Sequence, residues 1–575
     1  MLLKQWHNQS FDLKPLLAAV INLKSGDYLQ LFREFTMTLI TRIYWIIALL
    51  LLPISFFALL NSIGSLFVPL DLIAAPVALS FFTFFLAWTL IGGYEIFFGI
   101  SNLRRNYPVL ANIRYALEFI RPEIQQYFIA NNVEEKPFSR ENRNLIYRRA
   151  KGANDTLPFG TEQDILEEGY RSLNHSINVK EVSQEHVRVI FGGPECTQPY
   201  SASRLNISAM SFGALSANAI AALNKGAYLG NFAHNTGEGG MSKYHLKYGG
   251  DIIWQIGTGY FGCRNIDGSF DDDAFAERAV INAVKMIEIK LSQGAKPSHG
   301  GVLPGAKVTK EIAEIRLVEV GKTVNSPASH PEFDTPKGLL QFVQRLRKLS
   351  AGKPVGFKLC LGKKVEFMAI VKAMLETKIL PDFVTIDGAE GGTGAAPVEF
   401  SNRLGTPCIE ATYYINEVLI GAGLRDQIRL ISAGQTASGF DVLEKIAVGA
   451  DTVNAARAMM IALGCVQAKA CNTNECPTGI ATQNPSRARA IVVGEKSERV
   501  NSYHNSTVRA FLELCGAMGF SNPDDLSPSD ILSRSEGRGK NFDEIYEPLL
   551  ENQLFTDSIP NSYRNDWHKA SADHF

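Results

Sequence analysis

A surplus of either charge is missing from this sequence: over 575 residues, 57 Lys and Arg face 58 Asp and Glu, for a net charge of −1. Nucleic-acid binders usually carry a basic patch and a high isoelectric point, so the balance speaks against that class. Cysteine is scarce, with eight in the chain and none before Cys196, which excludes the disulfide framework of a small secreted domain. Cys196, Cys263, Cys360, Cys408 and Cys515 stand alone and read as small buried apolar side chains. The length exceeds one ordinary core, so a large domain with smaller attachments is expected.

Polar residues are almost absent from two stretches near the N-terminus. Ile43 to Leu60 carries no charge, and Leu72 to Phe98 is broken only by Glu95 near its exit. Each run is long enough to cross a bilayer core, which takes about 20 helical residues. Pro53 is tolerable in such a helix. Buried helices of a soluble protein are the alternative, but these runs have no polar face to show to water. Lys24, Arg33 and Arg42 precede the first run, Arg104, Arg105 and Arg114 follow the second, and the linker Asn61 to Asp71 has no Lys or Arg. The positive-inside rule therefore predicts a two-span hairpin with both flanks, and the bulk of the chain, in the cytoplasm. The late start of the first run argues against a signal peptide. The expected organisation is an N-terminal cytoplasmic segment (1–42), two spans (43–100), a helical connector (101–185), a catalytic domain (186–521) and a polar extension (522–575).

Glycine, at 48 residues, falls largely in short clusters between apolar runs. Eight such runs read as strands: Leu205–Met210, Asn231–Asn235, Ile252–Ile256, Met286–Leu291, Val355–Cys360, Phe383–Asp387, Ile428–Ser432 and Thr452–Ala456. Helical patterns lie between them at Ala217–Tyr228, Asp273–Val284, Leu339–Leu349, Val365–Thr377 and Phe440–Val448. Eight βα units suggest a closed (β/α)8 barrel with its site in the loops after the strands. An open doubly wound sheet fits the pattern alone equally well.

Cys465, Cys471 and Cys476 form a C-x5-C-x4-C segment followed by Pro477. Thiolates suit soft metals and iron–sulfur clusters. Three ligands do not close a structural zinc site, which almost always takes four, but suit a cuboidal cluster lacking one iron. Three unrelated buried cysteines would share the spacing.

The surroundings carry more. SAMSFGALS (Ser208–Ser216), HNTGEGG (His234–Gly240), QIGTGYFG (Gln255–Gly262), IKLSQGAKP (Ile289–Pro297), DGAEGGTGAAP (Asp387–Pro397), GLRDQIRLISAGQTASGFDV (Gly423–Val442) and the cysteine segment occur in one order. From roughly Arg204 to Leu514 the chain resembles the FMN-binding synthase domain of the glutamate synthases, above all its short, stand-alone members. The resemblance implies the barrel rather than the open sheet, bound FMN, and a 3Fe-4S cluster on the three cysteines. It implies that Ala209, Met210 and Ser211 pass against the flavin, with Gln255, Lys290 and Gln293 beside it. Lys290 would place a cation near the flavin's N1–O2 edge, which stabilises an anionic reduced ring. Gly388, Gly391, Gly392 and Gly434, with Gln435, would admit the phosphate closely. Glu238, Lys296 and Arg316 match the positions that hold the 2-oxo acid, where Arg can grip a carboxylate bidentately. Taken singly, each glycine is an ordinary turn and each charge an ordinary surface group.

The departures shape the expected function. The family's full-length members begin with a nucleophilic cysteine on a glutaminase domain, and no cysteine precedes Cys196 here. The polar residues after Ser521 are too few for a dinucleotide-binding domain. Electrons and nitrogen are therefore expected from partners: a separate electron-donor protein, and ammonia or an amine donor. The family's KPGEGGQLPG reads KPSHGGVLPG from Lys296 to Gly305, so His299 replaces an acid and Val302 an amide. Ala389-Glu390 stands where His-Asp is common. The expected activity is reductive amination of 2-oxoglutarate, through 2-iminoglutarate, to glutamate. The alternatives are another 2-oxo acid or amine, a 2-hydroxy-acid dehydrogenase, and a membrane electron-transfer subunit that makes no glutamate.

Overall fold

The computed structural model describes residues 39–63 and 75–575. Lys24, Arg33 and most of the linker, on which the expected topology partly rests, lie outside the described residues. The chain divides into two units, Met1–Ala130 and Asn131–Phe575, so the expected connector is split between them.

In the first unit, helices α1 (Leu39–Ile63) and α2 (Ala75–Phe98) coincide with the two apolar runs. Both are long and apolar enough to cross a membrane, and only 22% and 11% of their apolar windows are buried, unlike core helices of a soluble protein. Tyr44 crosses between them, its hydroxyl donating to the Thr89 carbonyl at 2.6 Å. Gly92 permits this, because a Cβ there would stand 2.1 Å from the Tyr44 ring. Two further helices follow, α3 (Asn102–Asn106) and α4 (Ala111–Ile124).

The second unit is built on a closed parallel barrel of eight strands. These are β1 (Leu205–Ile207), β2 (His234–Asn235), β3 (Ile252–Ile256), β4 (Val284–Lys290), β5 (Val355–Leu359), β6 (Phe383–Asp387), β7 (Arg429–Ala433) and β8 (Thr452–Ala455). Each pairs with the next in sequence, and β8 returns to β1 through Val453 opposite Leu205, which rules out the open sheet. Strands buried on both faces read as continuous apolar runs, and these do. All five expected helices form. That starting at Asp272 ends at Ala279, short of the expected Val284, because Val284 already belongs to β4. A hairpin, Arg188–Phe191 against Tyr200–Ser203, packs Phe191 and Tyr200 on Ala233, Ile253, Met286, Phe383 and Ile431, and so plugs the amino end of the barrel. The polar C-terminal extension adds a strand, Ile531–Ser535, to Arg171–Leu173, and packs Leu549, Leu554, Tyr563 and Trp567 on the barrel's flank. The carboxyl end is left to the loops that follow the strands, where barrel sites lie.

Candidate active site

A polar core underlies the mouth. Glu288 on β4 is fully buried, and burying a carboxylate is tolerable only with partners. It has three: Asn235 donates at 2.8 Å, Gln255 at 2.6 Å and the Thr385 hydroxyl at 2.6 Å, from β2, β3 and β6. Gln255 is thus committed to the barrel interior. Two positions further along β4, Lys290 sits on the same side of the strand, in register with Lys358 on β5. Each lysine has its own carboxylate, Glu238 at 2.6 Å from Lys290 and Asp387 at 3.0 Å from Lys358. Burial works against the Lys358 cation, but the charges of Asp387 and Glu288 hold its pKa above the usual lysine value.

Around Glu238 the charges are unequal. Lys290, Lys296 and Arg316 are all buried, and all three cations act on this one carboxylate. Burial would raise Glu238, yet Lys290 foremost, then Lys296 and Arg316, hold it below the ordinary glutamate range. Lys296 lies in the loop after β4, its ammonium donating to the Gly300 carbonyl at 2.7 Å. Burial lowers its pKa to about 8, against the pull of Glu238. Arg316 ends a helix, Lys310–Arg316, capped by Thr309; its guanidinium donates to the Phe212 carbonyl at 3.0 Å and lies 5.0 Å from the centre of the Phe261 ring. Burial brings it down to about 10, and its Nε is buried without a partner. Gly301 and Gly239 are what let these groups converge. A Cβ at Gly301 would come within 2.5 Å of the Glu238 carboxylate, and one at Gly239 within 2.4 Å of Arg316. Behind them His330, neutral with a pKa lowered to about 4 by burial, bridges the Lys290 carbonyl at 2.9 Å and the Tyr260 hydroxyl at 3.0 Å.

Beside this cluster a cleft of about 570 Å³, open to solvent, runs across the carboxyl ends of the strands. Ala209, Gln293, Gly391, Gly392 and Gly434 line it, as do Lys358, Asp387 and Arg457. Three polar atoms of its wall, Gln293 Nε2, Thr436 Oγ1 and Asn454 Oδ1, are buried without a partner. Each such orphan costs about 1–3 kcal/mol, so a ligand that satisfies them is favoured. Gly294 marks a close approach of loops, since a Cβ there would fall 1.7 Å from the Gly388 carbonyl oxygen. Of the remaining expected residues, Met210 and Ser211 continue from Ala209 along the loop after β1, but Met210 is itself buried in the core. The Gln435 amide turns away to the Pro137 carbonyl.

Cys465, Cys471 and Cys476 all pack against one apolar cluster. Cys465 follows the helix Arg457–Leu463 directly, behind Gly464 in the left-handed region at φ 112°. Cys471 abuts the glycine loop after β6, within 3.4 Å of where a Gly394 Cβ would stand. Metals are held by thiolates. Burial raises Cys465 to about 11 and also raises Cys471. Burial would raise Cys476 too, but the Thr478 hydroxyl and the backbone of Ala481, Thr478 and Ile480 bring it below the ordinary thiol value. Among the described residues no group of three or more His, Cys, Asp or Glu is drawn close enough to hold a single metal ion. A cluster distributes its thiolates over several irons and asks for a wider spacing than one ion does.

Sequence reasoning missed several of these groups. Lys358, Glu288 and Asp387 could have been found as charges in otherwise apolar strands. Phe138 had no signal: it lines the cleft beneath the Arg457 guanidinium, 5.2 Å away, although it comes from the connector. Its backbone exchanges hydrogen bonds with Gln467, and Tyr147 donates to the Cys465 carbonyl at 2.5 Å, so this segment ties the cleft wall to the cysteine loop. The substituted positions are also placed. Glu390 accepts from the Cys408 N–H at 3.0 Å and caps the helix Cys408–Gly421, while His299 stacks edge-on to Phe400 at 5.3 Å.

A closed parallel barrel with buried cations gathered at the carboxyl ends of its strands defines a (β/α)8 scaffold, in which enzyme sites lie in the loops after the strands. Comparison with known proteins narrows this. The conserved region of glutamate synthase matches residues 147–521, and the chain belongs to the glutamate synthase family. It is 37% identical to the glutamate synthase large subunit-like protein YerD of Bacillus subtilis, over 78% of this chain and 93% of that protein. It is 35% identical to the archaeal glutamate synthase [NADPH] of Methanocaldococcus jannaschii over 59% of this chain, and 32% to an archaeal-type glutamate synthase [NADPH] of Thermotoga maritima over 57%. Those matches span 63% and 62% of the two synthases. These relatives imply an oxidoreductase.

Proposed function

We propose that the chain is a membrane-anchored, glutamate synthase-like flavoenzyme that reductively aminates 2-oxoglutarate, through 2-iminoglutarate, to glutamate. The charge around Glu238 carries this reading. Three buried cations, Lys290, Lys296 and Arg316, face one carboxylate and leave two positive charges uncompensated. Buried charge without a partner costs several kcal/mol, and a dicarboxylate supplies the missing two negative charges. Arg316, with its unpartnered Nε, and Lys296 are the groups assigned to the substrate carboxylates. Lys296, near its pKa of about 8, can also hold or release a proton at Nζ close to neutral pH.

The cleft fits FMN by its orphaned polar atoms and its glycines, and Ala209, Gln293, Gly391, Gly392 and Gly434 would hold it. Lys290, paired with Glu238 at 2.6 Å, is the cation assigned to the flavin. Cys465, Cys471 and Cys476 would hold a 3Fe-4S cluster. When bound, FMN supplies hydride chemistry and the cluster one-electron delivery. Electrons and ammonia or an amine come from partners. The apolar, exposed α1 and α2 support anchoring, and the arginines that flank them support a cytoplasmic barrel.

Anaerobically purified protein should contain FMN and about three irons per chain, with matching acid-labile sulfide. Folded protein that is colourless and iron-free under those conditions contradicts the cofactor reading.

A further inference from the structure

The connector helix α4 has an apolar face that nothing in its own unit covers. Leu110, Ile113, Leu117, Ile120, Ile124 and Phe128 recur every three or four residues, which puts them on one side, and all are exposed, Phe128 to 84%. A different face does the packing. The Tyr115 hydroxyl meets Ser101 at 2.8 Å, and its ring lies 4.7 Å from the Arg104 guanidinium.

The start of α4 is fixed to the end of α2. Glu95, one turn from the exit of α2, is only 5% exposed; it accepts from the Val109 N–H and the Asn112 amide, each at 2.6 Å, and lies 3.7 Å from Arg104. Arg105 closes the elbow by donating to the Gly99 carbonyl at 2.7 Å. A helix fastened to the end of a span begins at the depth where hydrocarbon gives way to headgroups. Arg104 and Arg105 of α3 put positive charge at that level, while α4 itself is balanced, with Arg114 and Arg121 against Glu118 and Glu123.

We propose that α4 is an interfacial helix that lies on the cytoplasmic membrane surface, with the Leu110–Phe128 stripe sunk into the acyl boundary and its arginines among anionic headgroups. The inference rests on the reading of α1 and α2 as membrane spans. Continuity with those spans selects a lipid surface over a protein partner, because the stripe begins where the span ends.

The test uses the full chain, reconstituted into mixed phosphatidylcholine–phosphatidylglycerol vesicles, with a benzophenone side chain placed singly at Leu50, Leu117 or Glu118. Leu50 lies in α1 and is 57% exposed. Lipid adducts at Leu50 and Leu117, and their loss at Glu118, are expected by mass spectrometry. Adducts at Leu50 with none at Leu117 overturn the interfacial helix and leave the spans standing. Cross-linking of Leu117 to a second copy or to the barrel also overturns it, in favour of protein docking. No adduct at Leu50 removes the spans and this inference with them. The same label at Ile120 repeats the stripe measurement should the Leu117 variant fail to fold.

Discussion

Replacing Lys290 with Met leaves the Glu238 carboxylate in place without the cation that does most to keep it ionised. At 2.6 Å the bare attraction is about 6 kcal/mol for an effective dielectric constant near 20. Breaking a buried pair from one side typically costs about 3–5 kcal/mol, since the remaining charge stays desolvated. Glu238→Gln should cost a similar amount, by stranding Lys290 among Lys296 and Arg316. The double variant removes both stranded charges and should fall well short of the sum of the two single losses, giving a coupling of about 2–3 kcal/mol. The dependence on pH sharpens this. In the wild type the Glu238 pKa is depressed, so its stabilising contribution is present above the unfolded-state value, about 4.3, and is lost as pH falls through the depressed one. In Lys290→Met, burial dominates and pushes that pKa upward, so the contribution is lost as pH rises. The stability gap between wild type and Lys290→Met should therefore widen from pH 4 to pH 7. Urea unfolding of the full chain in detergent, followed by near-ultraviolet circular dichroism, measures it. Additive single losses, or a gap independent of pH, would refute the reasoning.

Further outcomes follow from other parts of the site. Lys296→Met and Arg316→Met should each weaken 2-oxoglutarate binding by about 2–5 kcal/mol, at least thirtyfold in affinity, while the flavin spectrum survives. In the wild type, affinity for the dianion should hold below pH 8 and fall about tenfold per unit above it, as Lys296 loses its proton; titration calorimetry across pH 6.5 to 9.5 reads both effects. Cys471→Ser should lose the iron, whereas Cys408→Ser, whose sulfur is buried 3.0 Å from the Ser432 hydroxyl, should keep it by metal analysis. Reporter fusions at Gly64 and at the C-terminus should report opposite sides of the membrane, and the same side for both refutes the hairpin.

Much of the scaffold was legible because parallel strands buried on both faces leave uninterrupted apolar runs, and each of the eight left one. Their ends were less legible. The expected strand Asn231–Asn235 shrinks to His234–Asn235 because Asn231, in the left-handed region at φ 53°, is still ending the preceding helix. The helix Cys408–Gly421 escaped notice because it is buried nearly all round and shows no amphipathic period. Within the site, individual residues were readable but their partners were not. Lys290 stood out as a charge at the end of an apolar strand, yet its pairing with Glu238, 52 residues away, exists only once the barrel closes. Phe138 meets Gln467 across 329 residues, a contact that no local pattern encodes.

The central claim is that the buried, doubly positive cluster beside the cleft takes a 2-oxo diacid for amination. Its most direct test is anaerobic reoxidation of the reduced holoprotein by 2-oxoglutarate plus ammonia, with product glutamate quantified. The account predicts flavin reoxidation matched by glutamate in wild type, a loss in Lys296→Met and Arg316→Met at the same substrate concentration, and recovery toward wild type at higher 2-oxoglutarate. Reduced holoprotein that is not reoxidised by any 2-oxo diacid with ammonia or an amine would contradict it, and an electron-transfer subunit would then be the better account.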